Sequence, residues 1–408
     1  MTRDPATVET PVLDAPDWNW SQKRLLRLFT GIRQGTLLVR FDGAGEQRLY
    51  GVQTGPEADI HVHRPTAFLR AVALGGDLGF GESFVRGDWS SNDPAALLQL
   101  LSANLDHLEE AQQRSLPVRW LGRLRHALNR NSLRGSRRNI SAHYDLGNGF
   151  YSRWLDASMS YSAAIFDGSG DLRSAQERKY QKMFNLVDPY PGDHILEIGC
   201  GWGGFAEHAA KRGVRVTGIT LSQEQYAYAR DRVRRAGLEK LVDIRLCDYR
   251  DLDEQFDHVV SIEMFEAVGQ RYWQRYFDTV SRCLRPGGRA AFQIITIRDD
   301  LFPRYASEAG GFIQRYIFPG GMLPTERHLN QHACAAGLSP LSLQRYGVHY
   351  ADTLAEWNRA FSSDGTWLAS NGYDQYFQRM WTYYLAFCEG GFRDGRIDLV
   401  QFAVTREQ

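Results

Sequence analysis

Cysteine is scarce and scattered in this chain. Cys200, Cys247, Cys283, Cys334 and Cys388 form no C-x-x-C pair and none of the usual zinc spacings. That excludes a disulfide framework, and an odd, dispersed set reads as reduced thiols in a cytoplasmic protein. No run approaches the ~18 consecutive apolar residues of a membrane span. Charge of either sign is not in excess: 48 Lys and Arg balance 48 Asp and Glu, so no global field draws nucleic acid. The first 18 residues carry Asp4, Glu9, Asp14, Asp17 and three prolines. They lack the basic start and apolar core of a secretory signal. They read as a mobile tail, followed by a short amphipathic helix from Ser21 to about Gly31.

What is present fills two domains. The 408 residues exceed the ~150 expected of one. Strand signals at 35–41, 48–52 and 58–62 flank the Asp42-Gly43 turn. A helical run at 66–75, a Gly/aromatic segment at 79–89 and a helix at 94–107, capped by Asp93 with Pro94 at its first position, complete a small α+β domain over residues 1–134. His61 and His63 alternate with Ile60 and Val62 and read as surface residues, with no third metal ligand nearby in sequence; no metal is expected.

From residue 135 to 408 strands and helices alternate. Strands are expected at 194–198, 215–221, 242–248, 256–263, 289–297, 341–347 and 399–406, and helices at 223–236, 271–284 and 326–336. Such alternation implies an α/β, doubly wound, mostly parallel sheet.

The densest signal is His194-Ile195-Leu196-Glu197-Ile198-Gly199-Cys200-Gly201-Trp202-Gly203-Gly204. A strand enters a glycine-rich turn and a helix follows. This is where an open α/β sheet binds nucleotide-like cofactors, and Glu197 at the strand's end can accept hydrogen bonds from one. The glycines also satisfy G-x-G-x-x-G, but the next strand ends in Thr220-Leu221-Ser222, without the ribose-binding acid of a dinucleotide fold. An S-adenosylmethionine methyltransferase fits better.

Two further stretches stand out. Residues 112–144 hold eight arginines and no acid, with Trp120, Leu121, Leu124 and Leu128 at helical spacing. This is either a surface for anionic lipid or a solvated helix between domains. Residues 298–324 form a long aromatic loop, the pattern of a lid. With Trp357, Phe361, Trp367, Tyr373, Tyr376, Phe377, Trp381, Tyr383 and Tyr384 it could line an apolar pocket for acyl chains; ordinary core is the alternative for each.

The chain resembles the cyclopropane-fatty-acyl-phospholipid synthase family, which includes the mycolic-acid cyclopropane synthases. The resemblance rests on segments in family order over residues 140–408. They are Ala142 to Tyr151, Trp154-Leu155-Asp156, Met159-Ser160-Tyr161-Ser162, Leu196 to Gly204, Gly218 to Gln225, Glu263-Met264-Phe265-Glu266-Ala267-Val268-Gly269, Phe318 to Pro324, His349-Tyr350 and Tyr384 to Cys388. It implies a class I methyltransferase fold and attack of a cis double bond on the methyl of S-adenosylmethionine. A cation forms, a proton leaves the new methyl, and a ring closes.

The resemblance assigns cofactor binding to Tyr161, Ser162, Glu197, Gly199, Cys200, Gly201, Gly203, Thr220, Leu221, Gln225, Asp248 and Tyr249. Thr220 and Gln225 would face the ribose. Asp248 would reach adenine or else cap the next helix. The family base is a bound bicarbonate, held by a Glu, a His, a Tyr, the backbone near a Cys and an Ile carbonyl. Glu266, Tyr350 and Ile295 match. The Cys is Ala163 and the His is Gln293. Glu266 therefore either orients bicarbonate or itself takes the proton, unless it is only a helix-start carboxylate near Arg271. Gln293 is either an anion ligand or a buried tie between strands. Cys388 matches a family cysteine close to the site, with packing as its alternative role.

The expected partners are unsaturated phospholipid acyl chains at a transient membrane surface, with the protein peripheral at the inner face; pairing into a homodimer stays open. Methylene- or methyl-branched chains are the alternative product. A small soluble methyl acceptor and a silent lipid-binding protein are the other readings.

Overall fold

The computed structural model describes residues 18–108, 146–168, 170–307 and 311–407. The N-terminal tail and the arginine-rich segment 112–144 lie outside them. Two compact units emerge. One comprises residues 1–127 with 368–394, the other residues 128–367 with 395–408.

The first unit opens with α1 (Trp20–Phe29), whose N-terminus carries a reciprocal cap between Asn19 and Gln22. A four-stranded sheet follows in the order β2-β1-β3-β4, built from β1 (Gln34–Phe41), β2 (Gly45–Tyr50), β3 (Gln53–Val62) and β4 (Trp89–Ser90). Between β3 and β4 runs α2 (Pro65–Val85), and α3 (Pro94–Ala103) comes after. The Gly/aromatic segment is thus mostly helix: α2 continues past a break at Gly76, where φ is +53°. His61 and His63 do have a third potential ligand. The Asp42 carboxylate lies 2.6 Å from His61 Nε2 and 3.2 Å from His63 Nδ1, brought there by the parallel pairing of β1 with β3, which sequence spacing hides.

The second unit holds α4 (Gly147–Tyr151), α5 (Leu172–Val187), β5 (His194–Ile198), α6 (Gly204–Ala210), β6 (Arg215–Thr220), α7 (Gln223–Arg235), β7 (Val242–Leu246), β8 (Phe256–Ile262), α8 (Trp273–Cys283) and β9 (Leu284–Ile297). There follow α9 (Phe302–Ser307), α10 (Phe312–Tyr316), α11 (Glu326–Ala335), β10 (Leu338–Arg345), α12 (Gly347–Ser363), α13 (Gly365–Ser370) and, after α14 (Gln375–Arg393), β11 (Ile397–Arg406).

Seven strands form one sheet in the order β10-β11-β9-β8-β5-β6-β7. β7, β6, β5, β8 and β9 are parallel, and β11 runs antiparallel to β9 and β10. Side chains alternate across it with the two-residue period of a strand. Leu196, Ile198, Val259, Phe292 and Ile294 join Trp273, Phe277 and Leu329 in one core. Ile195, Val216, Val260 and Ala291 join Met183, Phe205 and Val233 in the other. A sheet buried on both faces explains the near-continuous apolar strands. β5 lies between β6 and β8, so the order reverses there, and beyond the strands' carboxyl ends is where folds of this class place a ligand.

Residues 368–394, which sequence reading assigns to the catalytic domain, pack instead within the first unit. The Arg379 guanidinium on α14 donates to Phe84 O (2.6 Å) and Trp89 O (2.8 Å). Trp381, Tyr383 and Tyr384 are buried there, and Tyr383 meets Phe84. The C-terminal aromatics therefore divide between two cores, since Trp357, Phe361 and Trp367 belong to the second unit.

Candidate active site

Each parallel strand around the switch point delivers a polar group at its carboxyl end: Glu197 on β5, Thr220 on β6, Asp248 after β7 and Glu263 after β8. The glycine turn follows β5. Gly199 has φ +83°, and a Cβ there would lie 2.8 Å from Met264 Cγ. Gly201 has φ +52°, and a Cβ there would meet nothing within 4 Å. The turn is thus packed against the Glu263–Glu266 segment at Gly199 and open at Gly201. The N–H groups of Gly199 and Cys200 both donate to Ile219 O, at 3.0 and 2.9 Å, which fixes the turn to β6. Gly203 takes a left-handed φ just before α6. Arg232 of α7 ties the turn to the 158–163 strap, donating to Trp202 O (3.0 Å) and Ser158 O (2.7 Å).

Glu197 is buried, and its Oε2 has no hydrogen-bond partner among the described residues. Burial pushes its carboxyl up to about 8, against the pull of the Lys179 ammonium. Lys179 lies within the buried stripe of α5 that includes Ala175, Met183 and Val187. It donates to Ser162 Oγ at 2.7 Å. Burial lowers it to about 8, while the carboxylates of Glu263, Asp156 and Glu197 hold it up. Sequence reading missed this lysine, although a cation at every-fourth-residue spacing in an apolar stripe was a signal.

Of the other expected cofactor residues, Thr220 and Gln225 are bonded to each other, Thr220 Oγ1 donating to Gln225 Oε1 at 2.8 Å. Ser222 Oγ caps α7, and Leu221 is exposed. Asp248 is buried and does cap the turn that follows: Oδ1 accepts from Arg250 N (3.0 Å), and the Arg250 guanidinium pairs with Oδ2 at 2.5 Å. Tyr249 packs its ring on Tyr276. The thiol of Cys200 is buried and raised well above its usual range, by desolvation first. The Tyr161 ring sits within 5.4 Å of Tyr151, Trp154 and Trp357, and Trp357 meets Tyr350 at 6.2 Å.

Three of the five residues expected to hold bicarbonate, Ala163, Gln293 and Tyr350, converge, but on a protein carboxylate. Glu263 Oε1 accepts from Ala163 N (2.8 Å) and from Gln293 Nε2 (2.8 Å), and Oε2 accepts from the Tyr350 hydroxyl (2.6 Å). Glu263 itself has φ +50°, a conformation costly for a side chain bearing a Cβ and common at functional sites. Desolvation raises its carboxyl, and the donors from Tyr350, Gln293 and Ala163 oppose the rise. Gln293 is a buried tie between strands, and it also contacts an anionic side chain. Its Nε2 faces the carboxylate, and its Oε1 accepts from Gln401 Nε2 at 2.9 Å, tying β9 to β11.

Glu266 stands apart from this group. Its Oε1 accepts from Ile295 N at 2.6 Å, and its enclosed Oε2 has no hydrogen-bond partner among the described residues. Desolvation, then the neighbouring Glu263 charge, push it up to about 8. The expected lid folds over this segment as α9 and α10. Met322 N donates to Glu266 O at 2.9 Å, and Tyr305 Oη accepts from Leu323 N at 3.1 Å. Ile295 contributes its N–H to Glu266, where its carbonyl was expected to act. Cys388 lies on α14 in the first unit, its thiol raised by burial.

Comparison with known proteins agrees on one family. The profile of mycolic acid cyclopropane synthetase matches residues 131–402. Tuberculostearic acid methyltransferase UfaA1 of Mycobacterium tuberculosis is 40% identical over 88% of this chain and 86% of its own length. Cyclopropane-fatty-acyl-phospholipid synthase of Escherichia coli is 37% identical over 86% and 88%. The crystal structure of mycolic acid cyclopropane synthase CmaA1 with SAH and CTAB superposes with a TM-score of 0.62, at 30% identity, over 66% of this chain and 97% of that one.

Proposed function

The chain belongs to the mycolic acid cyclopropane synthetase family, S-adenosylmethionine-dependent enzymes of lipid acyl chains, and from that premise we propose that it alkylates the cis double bond of an unsaturated phospholipid acyl chain, closing a cyclopropane ring. The observation that carries this reading is the contact of Gly199 with Met264, which sets the open glycine turn against the Glu263–Tyr350 cluster. Group transfer requires the two to be neighbours.

The residues of the turn fit S-adenosylmethionine. Gly201 leaves room for a ligand, and Glu197 Oε2 is a buried acceptor with no hydrogen-bond partner among the described residues. When bound, S-adenosylmethionine supplies a methyl carbon made electrophilic by the adjacent sulfonium. The chain's part is to orient, shield and remove a proton. The Tyr161, Trp154, Trp357 and Tyr350 rings form an aromatic cluster in which Trp154, Trp357 and Tyr350 are buried; aromatic faces favour cationic charge and exclude water.

A methyl- or methylene-branched product is the second reading. It is favoured by Ala163 and Gln293, which stand where the family resemblance expects Cys and His, and by the identity to a tuberculostearic acid methyltransferase.

The test is incubation of the full chain with S-adenosylmethionine and vesicles of cis-monounsaturated phospholipid. Mass spectrometry should show a gain of one CH2 per modified chain, and NMR should show ring protons rather than vinylidene or methyl-branch signals. A gain confined to free fatty acid would overturn the phospholipid assignment. No gain with either substrate would overturn the reading.

A further inference from the structure

We propose that the Glu263 carboxylate is the built-in anion of this site and the base that takes the released proton, in place of a bicarbonate drawn from solution. The inference rests on the proposed alkylation, and it arises from three hydrogen bonds. A carboxylate and a bicarbonate share one recognition chemistry: two oxygens on a planar carbon, each accepting from N–H and O–H donors. The donors meant for such an anion here are the Ala163 N–H, the Gln293 amide and the Tyr350 hydroxyl. All three point at Glu263, at 2.6–2.8 Å. An external anion would have to displace the side chain and leave a buried carboxylate unpaired, which is strongly unfavourable.

The backbone is bent for the purpose. Glu263 holds a left-handed φ of +50°, and its own N–H donates to Gln293 O at 2.8 Å. β8 therefore ends with the side chain aimed at the donors on β9 and α12. The buried Lys179 supplies compensating charge nearby.

The step balances. A C–H bond of the transferred methyl breaks, and its electron pair forms the ring C–C bond to the cationic carbon; loss of a proton from a carbon adjacent to the cation would give a C=C bond instead. The proton ends on Glu263 Oε2, where Tyr350 leaves one lone pair free, and the carboxylate becomes neutral. Even a carboxylate weakened as a base by three donors suffices against a carbocation.

The experiment uses the full chain. Wild-type turnover of vesicle lipid should be unchanged in buffer stripped of carbon dioxide. Glu263→Gln should lose about 100-fold or more, the scale of a missing general base, while S-adenosylmethionine affinity by calorimetry stays within about threefold. Glu263→Gly should lose activity alike and regain it, saturably, with added bicarbonate or formate. Independently of turnover, 13C-bicarbonate NMR should detect binding to Glu263→Gly and none to wild type. A wild type that needs bicarbonate, or that binds it in the NMR assay, overturns the proposal, as does an active Glu263→Gln. If wild type modifies no lipid but the NMR contrast is found, the alkylation reading falls and the built-in anion stands. If lipid is modified but the contrast is absent, the reverse holds.

Discussion

The Tyr350 hydroxyl donates to Glu263 Oε2 at 2.6 Å, joining α12 to the carboxyl end of β8. A phenylalanine at 350 keeps the ring against Trp357 and deletes only the donor. That donor holds the Glu263 carboxyl down against the rise caused by burial, so its removal lets the group ionise only at higher pH. A hydrogen bond to a charged group contributes about 1.5–3 kcal/mol. Tyr350→Phe should therefore move the acid limb of the kcat profile up by about one pH unit or more. The check is a pH–rate profile on both proteins. An unmoved acid limb would separate Tyr350 from the proton's acceptor.

Glu266 and Glu263 should behave as opposites on amidation. Glu266 is raised to about 8, so at neutral pH it is mostly a neutral acid accepting from Ile295 N. Glutamine mimics that state. Glu266→Gln should retain turnover within about tenfold, where Glu263→Gln should lose about 100-fold. Stability supplies the sign. From about 4.5 to about 8 the folded protein keeps the Glu266 proton that the unfolded chain has released. Wild-type stability thus falls as pH rises through that window. Glu266→Gln lacks this loss, so its Tm should gain on wild type from pH 5 to 8. Parallel Tm curves, or a dead Glu266→Gln, would return the base assignment to Glu266.

Much of this site was legible in the residues and some was not. The seven strands, the glycine turn and the return of Glu197 to the switch point follow from apolar runs and punctuation that local sequence carries. Ala163, Gln293 and Tyr350, grouped by motif order, lie together around Glu263. What they grip was not legible. Glu263 stands three residues before Glu266 in one motif, and only its positive φ turns the nearer carboxylate toward the donors. Asp42 escaped notice for the same kind of reason, since the parallel pairing of β1 with β3, not spacing, sets it beside His61 and His63. The placement of α14 depends on long-range contacts with Phe84 and Trp89 that no periodicity encodes.

Two glycines of one turn should fail differently. Gly199→Ala would drive a Cβ to 2.8 Å from Met264 Cγ, disturbing the segment that carries Glu263 and Glu266. Its Tm should fall, and turnover with it. At Gly201 a side chain meets no protein atom within 4 Å. Gly201→Val should cost only the roughly 1–2 kcal/mol of a left-handed residue, while its methyls fill the space left for the ligand. Calorimetry should show at least about tenfold weaker S-adenosylmethionine binding, the equivalent of about 1.4 kcal/mol. Unchanged affinity in a folded Gly201→Val would remove the turn from the cofactor site.

The arginine-rich segment 112–144 is outside the described residues, so its prediction rests on charge alone. Eight arginines with no acid make a local excess in a chain of zero net charge. Near an anionic surface each basic residue contributes about 1 kcal/mol, and the attraction fades within a Debye length. Replacing Arg123, Arg125 and Arg130 with Gln should then weaken binding to phosphatidylglycerol vesicles by roughly 3 kcal/mol at low salt, on the order of 100-fold. The salt dependence should flatten in the same variant, and binding to neutral phosphatidylcholine vesicles should not change. Turnover on lipid dispersed in detergent should match wild type, because the surface is needed to reach the acyl chain and not to alkylate it. Identical binding of both proteins to the two vesicle types would make the segment a solvated connection between the units.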